Sequence, residues 1–183
     1  MLNTFVVYVE NKPGVLTRVA SLFRRRAFNI DSLTVGRTEK PEVSRMTITV
    51  DADHDQARRI EANLYKLVNV LLVENITTVP AIVRDLAMIK VSATHGARSH
   101  VLELASVFRA RVVDVAPESL IIEITGDEDK IDGLLEVLRP YGVLEMVRTG
   151  IVAMRRGNKA FAALSSQEAP EQTMADDDLS QSV

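Results

Sequence analysis

Few side chains in this sequence have the types and the spacing that catalysis requires. Its three histidines are His54, His95 and His100, and the last two lie five residues apart, which is not the spacing of a helical ligand pair. There is no cysteine, which excludes a thiolate metal site, a cysteine nucleophile and a disulfide framework. There is no glycine-rich phosphate loop and no nucleophile elbow, and Ser21 and Ser106 have no base at a suitable spacing. We therefore expect neither a catalytic residue nor a metal site in this chain.

Residues 11–14 (Asn-Lys-Pro-Gly) have the chemistry for binding a small zwitterion. They precede a predicted helix, whose free N–H groups can hold a carboxylate. Gly14 has no Cβ, so a ligand can approach the backbone closely, and the Asn11 amide can donate to a carboxylate and accept from an ammonium group. The same residues also suit a simple strand-to-helix turn with an Asn-based cap. Asn29, a polar residue at the start of a predicted strand, either lines a site or satisfies the strand end.

Six elements position these residues in the first half of the chain, in the order βαββαβ. Apolar patterning predicts strands over residues 3–10, 28–35, 43–50 and 70–78. Apolar residues at helical spacing predict a helix that follows Gly14 and ends near Arg26. Asp53 with Gln56 three residues later resembles the capping box of a second helix. A shift in the phase of the apolar pattern predicts a bulge near Asp31.

The same order of elements repeats in the second half of the chain. An offset of 85 residues places residues 20–26 over residues 105–111, with five of the seven identical. Chance similarity between two amphipathic helices is the alternative, but the surrounding strands also fall into step. We predict an α+β fold with two ferredoxin-like βαββαβ units, over residues 1–79 and 80–158. Because helices cover only one face of such a sheet, we expect the other face to be buried by a second copy or a different chain.

Composition and charge are those of a globular protein. Apolar residues make up 46% of the 183 residues and charged residues 26%, and the sequence predicts neither a transmembrane helix nor a signal peptide. A cytoplasmic location is the simplest expectation. Residues 159–183 carry five carboxylates against one lysine, which predicts a disordered acidic tail. The whole chain has a net charge of −3, so residues 1–158 are close to neutral and give no electrostatic case for nucleic acid.

Three segments together make the sequence recognisable. They are NKPGVL at residues 11–16, FNIDSLTV at residues 28–35 and SRMTI at residues 44–48. In this order and spacing they resemble the regulatory small subunit of acetolactate synthase (acetohydroxyacid synthase), and the first unit resembles an ACT domain. The likeness extends over residues 1–158, including YKLVNV at residues 65–70 and RTGIV at residues 148–152, and leaves out the tail.

The resemblance implies a partner rather than a reaction. In this family the catalytic large subunit uses thiamine diphosphate, magnesium and FAD to condense pyruvate with a second 2-oxo acid. The small subunit activates it and confers feedback inhibition by valine in branched-chain amino-acid biosynthesis. ACT domains pair side by side as a homodimer, and by that resemblance Asn11 and Gly14 of one chain and Asn29 of its neighbour would hold the valine. The apolar residues expected at the same effector site are Val15, Leu16, Ile30 and Leu33.

The second unit departs from this pattern. At the offset of 85 residues, the three polar-site positions become Gly96, Ser99 and Asp114. An acid at the last of these is a poor neighbour for a carboxylate, so we expect one class of effector site, in the first unit, with the second serving contact or support.

Two other functions remain open at this point. A freestanding ACT-type amino-acid sensor acting on a different enzyme or regulator would share the turn at residues 11–14. An RNA-binding ferredoxin-like domain would need aromatic stacking residues on its third strand, and residues 43–50 contain none.

Overall fold

The computed structural model describes residues 1–94 and 96–157. The predicted acidic tail and His95 lie outside the described residues. Two antiparallel sheets, each with two helices on one face, account for this part of the chain, which confirms the predicted α+β fold with two ferredoxin-like units. None of the described helices is long and apolar enough to cross a membrane.

The first unit is a four-stranded sheet of order β2-β3-β1-β4 with two helices. Its elements are β1 (Leu2–Glu10), α1 (Val15–Arg25), β2 (Ile30–Arg37), β3 (Val43–Asp51), α2 (His54–Leu64) and β4 (Val70–Asn75). Phe5 and Val7 on the central strand β1 pack with Phe23 of α1 and Ile60 of α2 in a buried core. Burying each of these large apolar side chains contributes about 1.5–3 kcal/mol, so the core fixes the positions of both helices.

The second unit is a sheet of order β6-β7-β5-β8, also with two helices. Its elements are β5 (Ala81–Ser92), α3 (Arg98–Val107), β6 (Arg111–Val115), β7 (Ser119–Gly126), α4 (Glu128–Leu138), a 3-10 turn (Arg139–Tyr141), β8 (Val143–Arg148) and β9 (Val152–Arg155). Ile89, Ile122, Ile131 and Leu134 are fully buried in a separate core beneath α3 and α4. Each unit thus has a core of its own.

Local sequence signals fix several boundaries as predicted. The Asp53 carboxylate accepts from the backbone N–H of Gln56 at 2.8 Å, and the Gln56 side chain accepts from the N–H of Asp53 at 2.9 Å, which confirms the capping box. The pairing of β2 with β3 shifts register between Ile30 and Ser32, which confirms the predicted bulge.

The strand β9 was not predicted and joins the two units. It pairs with the first four residues of β5, from Ala81 to Arg84, and this ribbon lies on the open face of the first sheet. There Val6, Ile76 and Ala153 form a small buried cluster. The expectation that only another chain covers this face was therefore wrong in part, because the last described strand of the same chain covers some of it.

Candidate effector site

Residues 11–14 form the predicted turn between β1 and α1. The backbone N–H of Asn11 donates to the carbonyl of Glu42 at 2.7 Å, and its side-chain amide donates to the carbonyl of Pro41 at 2.9 Å. The Asn11 side chain therefore fixes the turn to the loop before β3 and does not cap the helix. Its carbonyl oxygen accepts no hydrogen bond within the described residues and can accept one from an ammonium group.

Gly14 occupies the position before the first residue of α1. Its φ is +82°, a left-handed conformation that glycine adopts without steric cost. No side chain caps the first turn of α1, and this turn contains no acidic residue. The Val15 N–H donates to the carbonyl of Lys12 at 3.4 Å, so the N–H groups of Leu16 and Thr17 and the positive end of the helix dipole are available to a carboxylate.

The four apolar residues expected at the site divide into two kinds. Val15 is only 4% exposed and belongs to the core of the first unit, so its side chain faces away from the turn surface. Leu16 is 44% exposed beside the turn, whereas Ile30 and Leu33 are half-buried on β2 and pack against the same core. Leu16, Ile30 and Leu33 therefore remain accessible to an aliphatic side chain.

A single chain does not bring Asn29 to the turn. β3 pairs Val43 with Glu10, next to Asn11, and pairs Val50 with Ile30, next to Asn29. Seven residues of strand at about 3.4 Å each separate these two ends by about 24 Å. Asn11 and Asn29 therefore lie at opposite ends of the first sheet.

The strand that carries Asn29, Ile30 and Leu33 lies at the edge of the sheet. β2 pairs with β3 on one side and with no other described strand on the other. Val35 on this edge is 42% exposed. An apolar, unpaired edge strand is the kind of surface that pairs with another strand.

Glu10 places a carboxylate directly before the turn. Its side chain accepts hydrogen bonds from Asn69 and from Lys12, the latter at 3.2 Å. These two hydrogen bonds, with Asn69 contributing most, lower the pKa of the Glu10 carboxyl below its ordinary value. The charge on Glu10 is thus compensated locally.

The corresponding turn of the second unit is built differently. α3 follows Ala97 with a φ of −95° instead of a left-handed glycine. The Arg98 guanidinium donates to the carbonyl oxygens of Ala93 at 3.1 Å and of Ala116 at 2.6 Å. A side chain of this unit therefore occupies its own turn. That the second unit does not hold the effector stays a prediction.

The remaining candidate groups are dispersed. His54 begins α2 and His100 lies in α3, both exposed. Among residues 1–94 and 96–157, no three histidine, aspartate or glutamate side chains come together as metal ligands.

Sequence reasoning missed a polar junction between the two units. Asp85 on β5 is 3% exposed, and its carboxylate accepts from Arg148 Nε at 2.6 Å, from the Thr149 hydroxyl at 3.1 Å and from the Gly150 N–H at 3.1 Å. Partial burial opposes the charge of Arg148, but Asp85, with Asp132 and Glu128, outweighs it and raises the pKa of the guanidinium. No local signal could reveal this cluster, because Asp85 and Arg148 are 63 residues apart.

The junction borders a cleft of about 380 Å³ between the units. One side is formed by Asp31, Ser32 and Leu33 of β2, and the other by residues 148–151 with Asp85 and Glu128. The strand that carries the candidate effector residues therefore contacts the second unit directly.

Comparison with known protein families covers both units. Residues 5–72 match the family described as the AHAS small subunit-like ACT domain, and residues 84–157 match the family described as the small subunit of acetolactate synthase.

Individual proteins give the same result. The probable acetolactate synthase small subunit of Archaeoglobus fulgidus is 51% identical over 159 residues, which cover 87% of this chain and 99% of that protein. The acetolactate synthase small subunit of Mycobacterium leprae is 48% identical over 162 residues, covering 88% and 96%. The crystal structure of the small subunit from Thermotoga maritima is 41% identical, with a TM-score of 0.81, and the match covers 86% of this chain and 99% of that one. This chain therefore belongs to the family of acetolactate synthase small subunits, which are regulatory.

Proposed function

We propose that this chain activates the catalytic large subunit of an acetolactate synthase and confers feedback inhibition by valine. Family membership supports the regulatory role. The observation that carries the site assignment is the placement of Asn11 and Asn29 at opposite ends of a sheet whose edge strand, β2, has no second described partner.

Side-by-side pairing of two copies would complete the site. If two β2 strands pair antiparallel about a two-fold axis, the Ile30 end of one strand lies beside the Arg37 end of the other. Arg37 pairs with Ser44, next to the end of β3 that adjoins the Asn11 turn. Asn29 of one copy thereby approaches Asn11 and Gly14 of its neighbour, which neither copy achieves alone.

The residues at this interface suit a small aliphatic amino acid. The uncapped first turn of α1 can hold the carboxylate, and Asn11 with the neighbour's Asn29 can hold the ammonium group. Leu16, Ile30 and Leu33 would contact the aliphatic side chain. Because one methylene contributes only about 1–3 kcal/mol in an apolar pocket, we expect modest discrimination between valine and isoleucine or leucine.

Regulation then requires only a moderate coupling between this site and the catalytic subunit. A coupling free energy of about 1–3 kcal/mol suffices for strong feedback, and the catalytic state must alter valine affinity reciprocally. In this proposal thiamine diphosphate, magnesium and FAD belong to the large subunit, and this chain contributes binding and conformational change alone.

Calorimetric titration of the purified chain with valine, isoleucine and leucine tests the proposal, together with sedimentation to determine its oligomeric state. We expect a dimer that binds valine at its two-fold interface. Co-purification with a thiamine-diphosphate enzyme separates this function from a freestanding amino-acid sensor. A monomer that binds none of the three amino acids would refute the proposed site.

A further inference from the structure

The two units meet where the turn at residues 148–150 reaches β2. Gly150 has a φ of +86°, and a Cβ at this position would lie 2.7 Å from Ser32 Oγ and 3.1 Å from Thr34 Oγ1. Only glycine permits so close an approach in this conformation. The next residue, Ile151, donates its N–H to Ser32 Oγ at 2.9 Å. The second unit therefore holds β2 through a backbone contact.

Two kinds of contact tie the 148–150 turn to β5. The Thr149 N–H donates to the carbonyl of Leu86 at 3.0 Å and the Thr149 hydroxyl accepts from the Leu86 N–H at 3.2 Å, and one buried acid binds the turn from its other side. Asp85 is the only buried acidic side chain in the described part of the chain, and it bonds all three residues of the turn. A buried carboxylate is tolerated only when its oxygens are fully satisfied, so the turn is tied to β5 in one conformation. Arg148 extends the link to α4, because its guanidinium also donates to Asp132 at 3.1 Å.

The contact falls next to the bulge in β2, the edge strand that begins after Asn29 and carries Ile30 and Leu33, called here the effector edge. The bulge in β2 leaves Asp31 out of the backbone pairing with β3, and the paired residues on either side are Ile30 and Ser32. The Thr49 hydroxyl on β3 crosses the bulge and donates to the Asp31 carboxylate at 3.4 Å. A bulge weakens the ladder locally, and here the strand has no second described neighbour to support it. Asn29 immediately precedes this bulge, so a displacement at Ser32 would move it.

We propose that Asp85 is a positioning residue for the effector site: by fixing the 148–150 turn against Ser32, it holds the bulged start of β2 in place. It thereby couples the effector edge of the first unit to the second unit. The claim that effector binding is coupled to the second unit rests on the proposed function above. The claim that Asp85 positions β2 does not.

Asp85→Asn tests this role with little change in shape. Asparagine has one acceptor oxygen in place of two, so it cannot accept from Arg148 Nε and from the Gly150 N–H at once, and its NH2 group would face a donor that the carboxylate had accepted from. It also loses the charge that binds Arg148, which is exposed enough for water to solvate it. We expect amide hydrogen exchange in residues 30–37 to become at least about tenfold faster, which corresponds to about 1.4 kcal/mol, with exchange in β1 unchanged. Valine should bind the variant more weakly. We also expect valine to slow exchange in residues 143–150 of the wild-type protein, because the 148–150 turn contacts β2, and this protection should be lost in the variant.

Asp132→Asn is the matched control. It removes the other carboxylate that binds Arg148, on the exposed side, and leaves Asp85 and the turn intact. We expect its exchange in residues 30–37 and its valine affinity to equal those of the wild-type protein. If Asp132→Asn affects β2 as strongly as Asp85→Asn, the charge of Arg148 and not the turn controls β2, and the proposal is wrong.

Ser32→Ala approaches the same contact from the first unit. It removes the hydroxyl that accepts from Ile151 and leaves the buried Asp85 cluster untouched, so it decides the question if Asp85→Asn does not fold. We expect the same acceleration of exchange in residues 30–37. Unchanged exchange in a folded Asp85→Asn, or in Ser32→Ala, overturns the positioning role. Failure of the wild-type protein to bind valine would instead refute the proposed function, while the β2 comparison still decides the role of Asp85.

Discussion

Replacing Gly14 with aspartate separates binding at the β1–α1 turn from folding of the turn. Gly14 has a φ of +82°, and a Cβ there would meet no atom within 4 Å, so space does not oppose a side chain. An L-residue in the left-handed region costs about 1–2 kcal/mol, and aspartate is among the residues that tolerate it. A negative charge at a helix N-terminus stabilises the helix by about 0.3–1 kcal/mol, which offsets part of this cost. We therefore expect a loss of no more than about 2 kcal/mol in the free energy of unfolding.

The effect on the effector should be much larger than this loss of stability implies. In the proposed site a carboxylate at residue 14 would lie beside the carboxylate of the bound amino acid, and we take a charge separation of about 4 Å for the calculation. At that distance repulsion amounts to about 1 kcal/mol in water and about 4 kcal/mol at the effective dielectric of a protein surface. Valine affinity should therefore fall by about fivefold to several hundredfold.

Calorimetry with valine and denaturant unfolding, on the same preparations, measure the two effects. Gly157→Asp is the matched control, because Gly157 has a φ of +84° and a Cβ there would also meet no atom within 4 Å. This variant introduces the same charge away from the turn and should bind valine as the wild-type protein does. Wild-type affinity in Gly14→Asp would show that the effector carboxylate does not bind at this turn.

Three further outcomes are expected. Backbone strain at a left-handed position costs about 1–2 kcal/mol, and Gly150→Ala should destabilise the protein by more than this because the new Cβ meets the β2 hydroxyl groups. Gly157→Ala, with a similar φ and open space around it, should cost no more than the strain. Equal losses of unfolding free energy for the two variants in denaturant would contradict this. The pKa of the Glu10 carboxyl should lie below its ordinary value in an NMR titration and should rise in Asn69→Ala, because the Asn69 hydrogen bond is the largest cause of the lowering. The stability that this carboxylate contributes is then present above its unfolded-state pKa and is lost as the pH falls through its folded-state pKa. Val35→Lys should shift a dimer toward monomers in sedimentation, because lysine on an edge strand opposes edge-to-edge pairing; an unchanged dimer would place the interface elsewhere.

The fold was predictable from the sequence where short-range patterns determine it. The Asp53 capping box and the bulge before Ser32 were each signalled by neighbouring residues, and both are present. β9 gave no such signal, because it has four residues and only Ala153 among them is buried. A burial pattern this short depends on the tertiary contact that creates it.

The candidate site was predictable as a set of residues but not as an arrangement. The turn at residues 11–14 has recognisable chemistry, yet the separation of Asn11 from Asn29 follows from the register of β3 with its two neighbours. Nothing in the sequence around Asp85 distinguishes it from an acidic residue on the protein surface. Its burial depends on Arg148, which is distant in the chain, so only the folded structure identifies it.

The position of β9 has a consequence for synthesis of the protein on the ribosome. The ribosome adds about 5–20 residues per second, and the first unit can fold as soon as β4 has emerged. Its apolar residues Val6 and Ile76 are not covered by Ala153 until synthesis reaches the end of the described chain. For that interval the nascent polypeptide presents a water-exposed apolar surface. A translational pause between β4 and β9 would prolong this exposure, and chaperones would find their binding surface on this face.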